Sequence, residues 1–256
     1  MSDWDGNEYA RVSELQRAMT RDAVAALALA GSDKVLDIGC GDGNLTRAIA
    51  ANVPAGYVVG LDPAPGMLSA AQSATAVAEC GPVFVRADVR CLPFVDYFDV
   101  AVSFNALHWV PEQEQAMAQI AAVVSRGGRV LIQVVCAGKT PSLEAVAMEL
   151  TRSTRWAPWF QEFEAPFVHV GPERFRQLAS SAGFTVVNLT VAEHEWDFGS
   201  RELFGRWCAV GSRAWTDRLA AADRLGFVDE QVRAYEQVTG RPGLFLFTQM
   251  RAELRS

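Results

Sequence analysis

Apolar and polar positions along this 256-residue chain switch repeatedly between two periods. From Lys34 onward, short β-type runs are followed by stretches with helical spacing. VLDI precedes a helix from about Asn44 to Ala51, YVVGLD precedes one from Ala64 to Ala78, and PVFVRAD forms a third strand. FDVAVSF, a helix from Glu112 to Val124, a turn at Arg126-Gly-Gly-Arg129 and VLIQVV continue the rhythm. Strands separated by helices of this length need right-handed crossovers, which implies a mostly parallel, doubly wound α/β sheet with helices on both faces.

Both ends depart from this rhythm. Residues 8–29 carry Val12, Leu15, Met19, Val24 and Leu27 at mixed helical spacing and predict one or two leading helices that end before Gly31. After Val135, the segment Gly138–Val170 holds a helix with Leu143, Val146, Ala147 and Leu150 at i, i+3, i+4 and i+7, then an aromatic-rich loop. A helix from Phe175 to Ala182 and a strand from Phe184 to Ala192 restore the α/β pattern, residues 199–238 are again helical, and Leu244–Met250 is an apolar run of strand length. The expected organisation is a helical lid over 1–30, a core over 31–136 and a helical cap insertion over 137–170. Residues 171–256 then complete the sheet and add a second cap segment, 199–238.

Composition removes several classes of function. A net charge of −7 and a pI near 5.1, with no Lys/Arg cluster, give no attraction for polyanions, so nucleic acid is not an expected partner. The start has neither a basic nor an apolar leader region, and no run approaches eighteen apolar residues, which predicts a cytoplasmic protein without membrane contact. Five scattered cysteines (Cys40, Cys80, Cys91, Cys136, Cys208) form no CxxC pair and have no histidine at zinc spacing, so reduced thiols and no metal are expected. Monomer and homodimer both remain compatible with the composition.

The chemistry concentrates at strand ends. The first strand ends in Asp37 and runs into Gly39-x-Gly41-x-Gly43, a turn whose bare backbone lets a ligand lie against the main chain where the next helix starts. Asp62 ends the second strand, where a carboxylate can accept hydrogen bonds from both hydroxyls of a ribose. Asp88 ends the third, where its side chain could read an adenine amino group while the Val89 amide reads the ring. One nucleoside lying across three strand ends fits this arrangement. Nicotinamide dehydrogenases share a glycine turn, but their Gly-x-Gly-x-x-Gly spacing brings a pyrophosphate onto the helix, and position 44 is Asn.

In these residues the chain resembles class I S-adenosylmethionine-dependent methyltransferases over about residues 30–136. VLDIGCGDGNLT, GLDPAPGML, RADVRCLPF and FDVAVSFNALHWV match that family's motifs in order. The resemblance implies a Rossmann-like, seven-stranded sheet of order 3-2-1-4-5-7-6 whose seventh strand is antiparallel. It implies that Asp37, Gly39 and Gly41 line the methionine and ribose end, Asp62 the ribose, Pro63 and Met67 one adenine face, and Asp88 and Val89 the adenine edge. Asn105 would approach the methionine amino group, and S-adenosylhomocysteine would be the product.

On the acceptor side, Tyr9-x6-Gln16 and Leu107-His-Trp109 resemble small-acid carboxyl methyltransferases of the trans-aconitate and juvenile-hormone-acid type. By that likeness Gln16 and Trp109 would give neutral N–H donors to an acceptor carboxylate, and Tyr9 would close over the cofactor. His108 stands where a Gln is usual in the aconitate type; it could act as a base toward a hydroxyl acceptor or be a structural or substrate-contact residue. Trp156 and its aromatic neighbours suggest an apolar acceptor pocket, and Arg152 and Arg155 could clamp a second carboxylate or face solvent. The leading expectation is carboxyl O-methylation of a small apolar acid. Behind it stand O-, C- or N-methylation of a phenolic or natural-product acceptor with His108 as base, and a non-catalytic cofactor-binding regulatory module.

Overall fold

In the computed structural model, residues 15, 19, 27–75 and 81–256 are described. In chain order the core elements are β1 (Lys34–Ile38), α1 (Asn44–Ala50), β2 (Tyr57–Asp62), α2 (Pro65–Thr75), β3 (Val83–Arg86), β4 (Phe98–Phe104), a 3-10 turn (Leu107–Trp109), α3 (Gln113–Val123) and β5 (Val124–Val135). They are followed by α4 (Leu143–Thr151), a 3-10 turn (Ala157–Trp159), α5 (Pro172–Ser181), β6 (Thr185–Asp197), α6 (Arg201–Gly211), α7 (Arg213–Thr216), α8 (Ala221–Thr239) and β7 (Leu244–Arg255).

The strands form one seven-stranded sheet of order β3-β2-β1-β4-β5-β7-β6, in which β7 runs antiparallel to both β5 and β6. This is the expected topology. Adjacent residues bury opposite faces: Leu36, Leu61, Ala101 and Ile132 join one core layer, while Val35, Val58, Val100 and Leu131 join the other, beside Leu45 and Ile49 of α1. A strand buried on both faces reads as a continuous apolar run, which is why VLDI and VAVSF carry so little polarity.

The expected turn at residues 126–129 lies inside β5. The register steps from Phe98↔Val124 to Val100↔Arg129, so residues 125–128 bulge out of the ladder and the strand resumes beyond them. The strand expected to end at Ala192 continues to Asp197, and the one expected to end at Met250 continues to Arg255. Pairing with β7 sets the length of β6. That edge strand is largely exposed, so its charged residues cost little burial.

The two cap segments pack against each other and onto the sheet. Leu143 and Val146 of α4, Phe204 and Cys208 of α6, and Val228, Val232 and Tyr235 of α8 form one buried cluster with Phe245 and Phe247 of β7, and Leu15 joins it. Trp156, Phe160, Trp215 and Phe227 form a second cluster. Ser142 and Ser200 cap α4 and α6 by accepting from the Ala145 and Leu203 amides at 3.1 and 3.2 Å, contacts worth about 1 kcal/mol each. The helix expected from Ala64 to Ala78 is seen as α2, and residues 76–80 lie outside the described set, as does most of the expected leading helical region; Leu15 and Met19 are helical.

Candidate active site

The turn after β1 is pinned to the neighbouring strand. The Gly39 and Cys40 amides both donate to the Leu61 carbonyl, at 2.8 and 2.9 Å. Gly39 has φ 74°, and a Cβ there would lie 2.2 Å from the Ala106 Cβ, so the position excludes any side chain. Gly41, at φ 55°, differs: a Cβ there would meet only the Met67 Sδ, at 4.0 Å, leaving open space against bare backbone.

Asp62 closes this cradle from β2. Its Oδ2 accepts from the Gly41 amide at 3.0 Å and its Oδ1 from the Ala64 amide at 2.9 Å, which fixes the carboxylate at the strand end. Asp37 sits one layer deeper. It is 1 % exposed and accepts from the Thr46 hydroxyl at 2.7 Å. Burial, opposed by that hydrogen bond and reinforced by Asp62 and Asp42, raises its pKa to about 7. Asp37 therefore supports the loop from beneath and is absent from the cavity wall that Gly39 and Gly41 line.

At the end of β3, the Asp88 carboxylate is held by Arg90 through Nε at 2.9 Å and a terminal nitrogen at 2.6 Å, and Arg90 also reaches Glu112 at 2.9 Å. These hydrogen bonds hold Asp88 below the usual carboxylate range. Val89 beside it is buried. At the end of β4, Asn105 adopts φ 54° while its amide donates to the Gln133 carbonyl at 2.7 Å and its side-chain oxygen accepts from Gln249 at 3.0 Å. An asparagine tolerates this left-handed conformation better than most residues, and the two bonds fix the direction of the turn that carries Leu107–Trp109.

His108 is 4 % exposed, and its Nδ1 has no hydrogen-bond partner among the described residues. Burial, with His169 nearby at 5.9 Å between ring centroids, lowers its pKa to about 3, so the imidazole is neutral. A conjugate acid that weak makes a poor base for a hydroxyl. Trp109 is half-buried between Phe167 and Trp215.

These groups surround one cavity of about 760 Å³. Gly39, Gly41, Asp62, Pro63, Met67, Asp88, Val89, Asn105, His108 and Trp109 all line it, so three strand-end acids do not scatter: Asp62 and Asp88 share its wall and Asp37 lies behind it. The far wall comes from the cap and β7, including Leu143, Glu144, Trp207, Trp215, Gln231 and Phe245, with Leu15 and Met19 also contributing. Trp156, expected at the acceptor, is instead fully buried in the cap core, where its indole N–H donates to Glu230 at 2.8 Å. A flat, apolar ring stabilises more when buried than when lining an open chamber, and Phe227 supplies an edge contact at 5.3 Å. Arg152 and Arg155 pair with Glu149 and Glu230 and do not line the cavity. Tyr9 and Gln16 lie outside the described residues.

Sequence reasoning missed Arg90, Glu144 and Gln231. RADVR contained a signal for Arg90, since an arginine two residues past a strand-end acid can fold back on it; Glu144 and Gln231 sit on amphipathic helices like any polar residue. Among the described residues no group of three or more His, Cys, Asp or Glu is placed to hold a metal, and no helix is long and apolar enough to cross a membrane.

Residues 35–128 match the family described as "Methyltransferase domain". A trans-aconitate 2-methyltransferase of Mycobacterium ulcerans (strain Agy99) is 31% identical over 185 residues, covering 72% of this chain and 68% of that protein. The chain belongs to the S-adenosylmethionine-dependent methyltransferases. A second relative of this methyltransferase, the trans-aconitate 2-methyltransferase of Methylobacterium nodulans, is 29% identical over 178 residues, 64% of the chain and 67% of its own length. Among solved structures, YcgJ from Bacillus subtilis superposes with a TM-score of 0.63 at 17% identity, covering 94% of this chain and 98% of that one. Phosphoethanolamine N-methyltransferase 2 of Haemonchus contortus, solved with S-adenosyl-L-methionine, gives 0.63 at 15% identity, with 97% of this methyltransferase and 56% of that chain covered. At those identities the likeness extends to the fold alone.

Proposed function

We propose that this methyltransferase esterifies a small, largely apolar carboxylic acid and releases S-adenosylhomocysteine. The observation that carries this reading is the single cavity in which the glycine turn, Asp62 and Asp88 meet an aromatic wall of Trp109, Trp207, Trp215 and Phe245. The residues present suit an adenosyl ligand: open backbone at Gly41, a fixed carboxylate at Asp62 for the ribose, and Asp88 with the Val89 amide for the adenine edge. Pro63 and Met67 flank the adenine face, Gly39 shapes the turn, Asn105 faces the methionine end, and Asp37 supports the loop from behind. When bound, S-adenosylmethionine supplies a sulfonium methyl, whose C–S bond breaks as an acceptor oxygen forms the new C–O bond.

The chain's own contribution is positioning. Holding two reactants in line can supply about 7–11 kcal/mol of barrier reduction, and a carboxylate acceptor needs no base. Trp109 and Gln16 act as neutral donors that orient the carboxylate without quenching its nucleophilicity in an ion pair, Tyr9 closes the lid, and His108 forms part of the wall. The depressed basicity of His108 weighs against the rival in which it deprotonates a phenol or hydroxyl. The working organisation is a lid over 1–30, a cofactor core over 31–136, and a cap from 137–170 and 199–238 within a cytoplasmic monomer or homodimer that does not engage nucleic acid.

The test is a panel of monocarboxylic acids and phenols incubated with S-adenosylmethionine, with products identified by mass spectrometry. Methyl esters, lost in Trp109→Phe while S-adenosylhomocysteine affinity holds, support the reading. Methyl ethers or N-methyl products in place of esters would move the reaction to the hydroxyl or amine class. Cofactor binding without product across the panel would favour a regulatory module.

A further inference from the structure

The cavity carries an acid that the methyl-transfer reading leaves unused. Glu144, in the first turn of α4, lines the cavity with 13 % of its side chain exposed. The titratable group beside it is His169, whose Nε2 stands 3.9 Å from the Glu144 Oε2, beyond direct hydrogen-bond range. Burial holds His169 toward its neutral form against the opposing pull of Glu144. The same wall contains His108, more than nine-tenths buried, with Nδ1 unpartnered among the described residues, and the His169 Nε2 behind it is likewise unpartnered. Glu144 thus faces the cavity with hydrogen-bonding capacity that no described residue claims, and the two partnerless imidazole nitrogens stand buried behind it.

Charge sharpens the point. The described lining holds four acids, Asp62, Asp88, Glu144 and Asp217, against two guanidiniums. Arg90 is committed to Asp88 and Glu112, and Arg218 is exposed, its guanidinium over the Phe163 ring. Glu144 has no guanidinium or ammonium partner among the described residues, so a second or third acceptor carboxylate placed beside it would meet like charge.

We propose that Glu144, backed by His169 and beside His108, is a specificity site that recognises an ammonium or other hydrogen-bond-donating group at the end of the acceptor remote from the methylated carboxylate. The acceptor class is then an apolar acid bearing a distal amine, and di- and tricarboxylic acids are rejected. This inference rests on the carboxyl-methylation reading for the second end of the acceptor but concerns binding, so it can be measured without turnover.

The experiment loads the full chain with S-adenosylhomocysteine and titrates three acids that share one frame: 3-phenylpropanoic acid, 3-[4-(aminomethyl)phenyl]propanoic acid and 3-(4-carboxyphenyl)propanoic acid. Calorimetry should find the aminomethyl compound bound at least tenfold tighter than the dicarboxylate. In Glu144→Gln that ratio should fall below threefold while S-adenosylhomocysteine affinity stays the same, and His169→Gln should reduce it partway. A dicarboxylate that binds as well as the amine, a preference that survives Glu144→Gln, or no binding by any of the three overturns the proposal. If the amine binds through Glu144 but yields no methyl ester with S-adenosylmethionine, the specificity site stands and the carboxyl-methylation reading fails.

Discussion

Replacing Gly39 by Ala tests the contact between the turn after β1 and the turn after β4 in one measurable quantity. Two costs add. A non-glycine residue at φ 74° pays about 1–2 kcal/mol for the left-handed conformation. The new Cβ would also lie 2.2 Å from the Ala106 Cβ, against an ordinary carbon–carbon contact of about 3.5–4.0 Å, so the turn after β4 must retreat by over about 1 Å. Overpacking of that kind costs about 1–3 kcal/mol. The sum is about 2–5 kcal/mol, a large share of a typical folding free energy. Ala106→Gly removes the clashing atom and leaves the Ala106 Cα at 3.7 Å, an ordinary contact, so the double variant should keep only the dihedral cost. Urea denaturation of the four proteins in the cycle should give a favourable coupling of about 1–3 kcal/mol, and S-adenosylhomocysteine affinity should fall in Gly39→Ala and partly recover in the double variant. Additivity within about 0.5 kcal/mol would refute the claim that the two turns are in contact at this point.

Three further outcomes follow from the same geometry. Asp62→Asn turns one of the oxygens that receive the Gly41 and Ala64 amides into a donor, and should weaken S-adenosylhomocysteine binding at least tenfold, about 1.4 kcal/mol, by calorimetry; unchanged affinity would remove Asp62 from the ribose site. His108 has a folded-state pKa of about 3, below its ordinary 6.5, so the unfolded chain binds the proton first: its contribution is complete above pH 6.5 and is lost as pH falls toward 3, at up to about 1.4 kcal/mol per pH unit. The stability of His108→Gln should therefore fall less steeply over that window than that of the natural chain, and parallel curves would contradict the burial argument. Trp156→Phe removes the indole bond to Glu230 and should cost about 1.5–3 kcal/mol in denaturation while leaving acceptor KM unchanged; a raised KM with intact stability would return Trp156 to the acceptor site.

The centre of the sheet was legible because β1, β2 and β4 are buried on both faces. VLDI, YVVGLD and VAVSF could hardly be anything else, and the strand-end positions of Asp62 and Asp88 placed two sides of the cavity before any coordinates. Asp37 was located correctly in the chain but not in depth, since a carboxylate at the last inward position of a strand can face a ligand or a buried threonine, and Thr46 decides which. The cap was less readable. Aromatic residues in Trp156–Phe167 and Trp196–Trp215 carry no period that separates a packed ring from a lining one; Trp156 turned into the core because Glu230, 74 residues away, accepts its N–H. Glu144 was invisible for a similar reason, because an acid in the first turn of a helix is ordinary and only the meeting of α4 with the sheet ends places it on the cavity.

The most direct measurement is a crystal structure of the full chain with S-adenosylhomocysteine. The ribose should lie against Asp62, the adenine beside Asp88 and Val89, and the sulfur should open toward Trp109 and the chamber that Glu144 lines. A ligand seated elsewhere on the sheet, or one whose sulfur faces away from that chamber, would contradict the account.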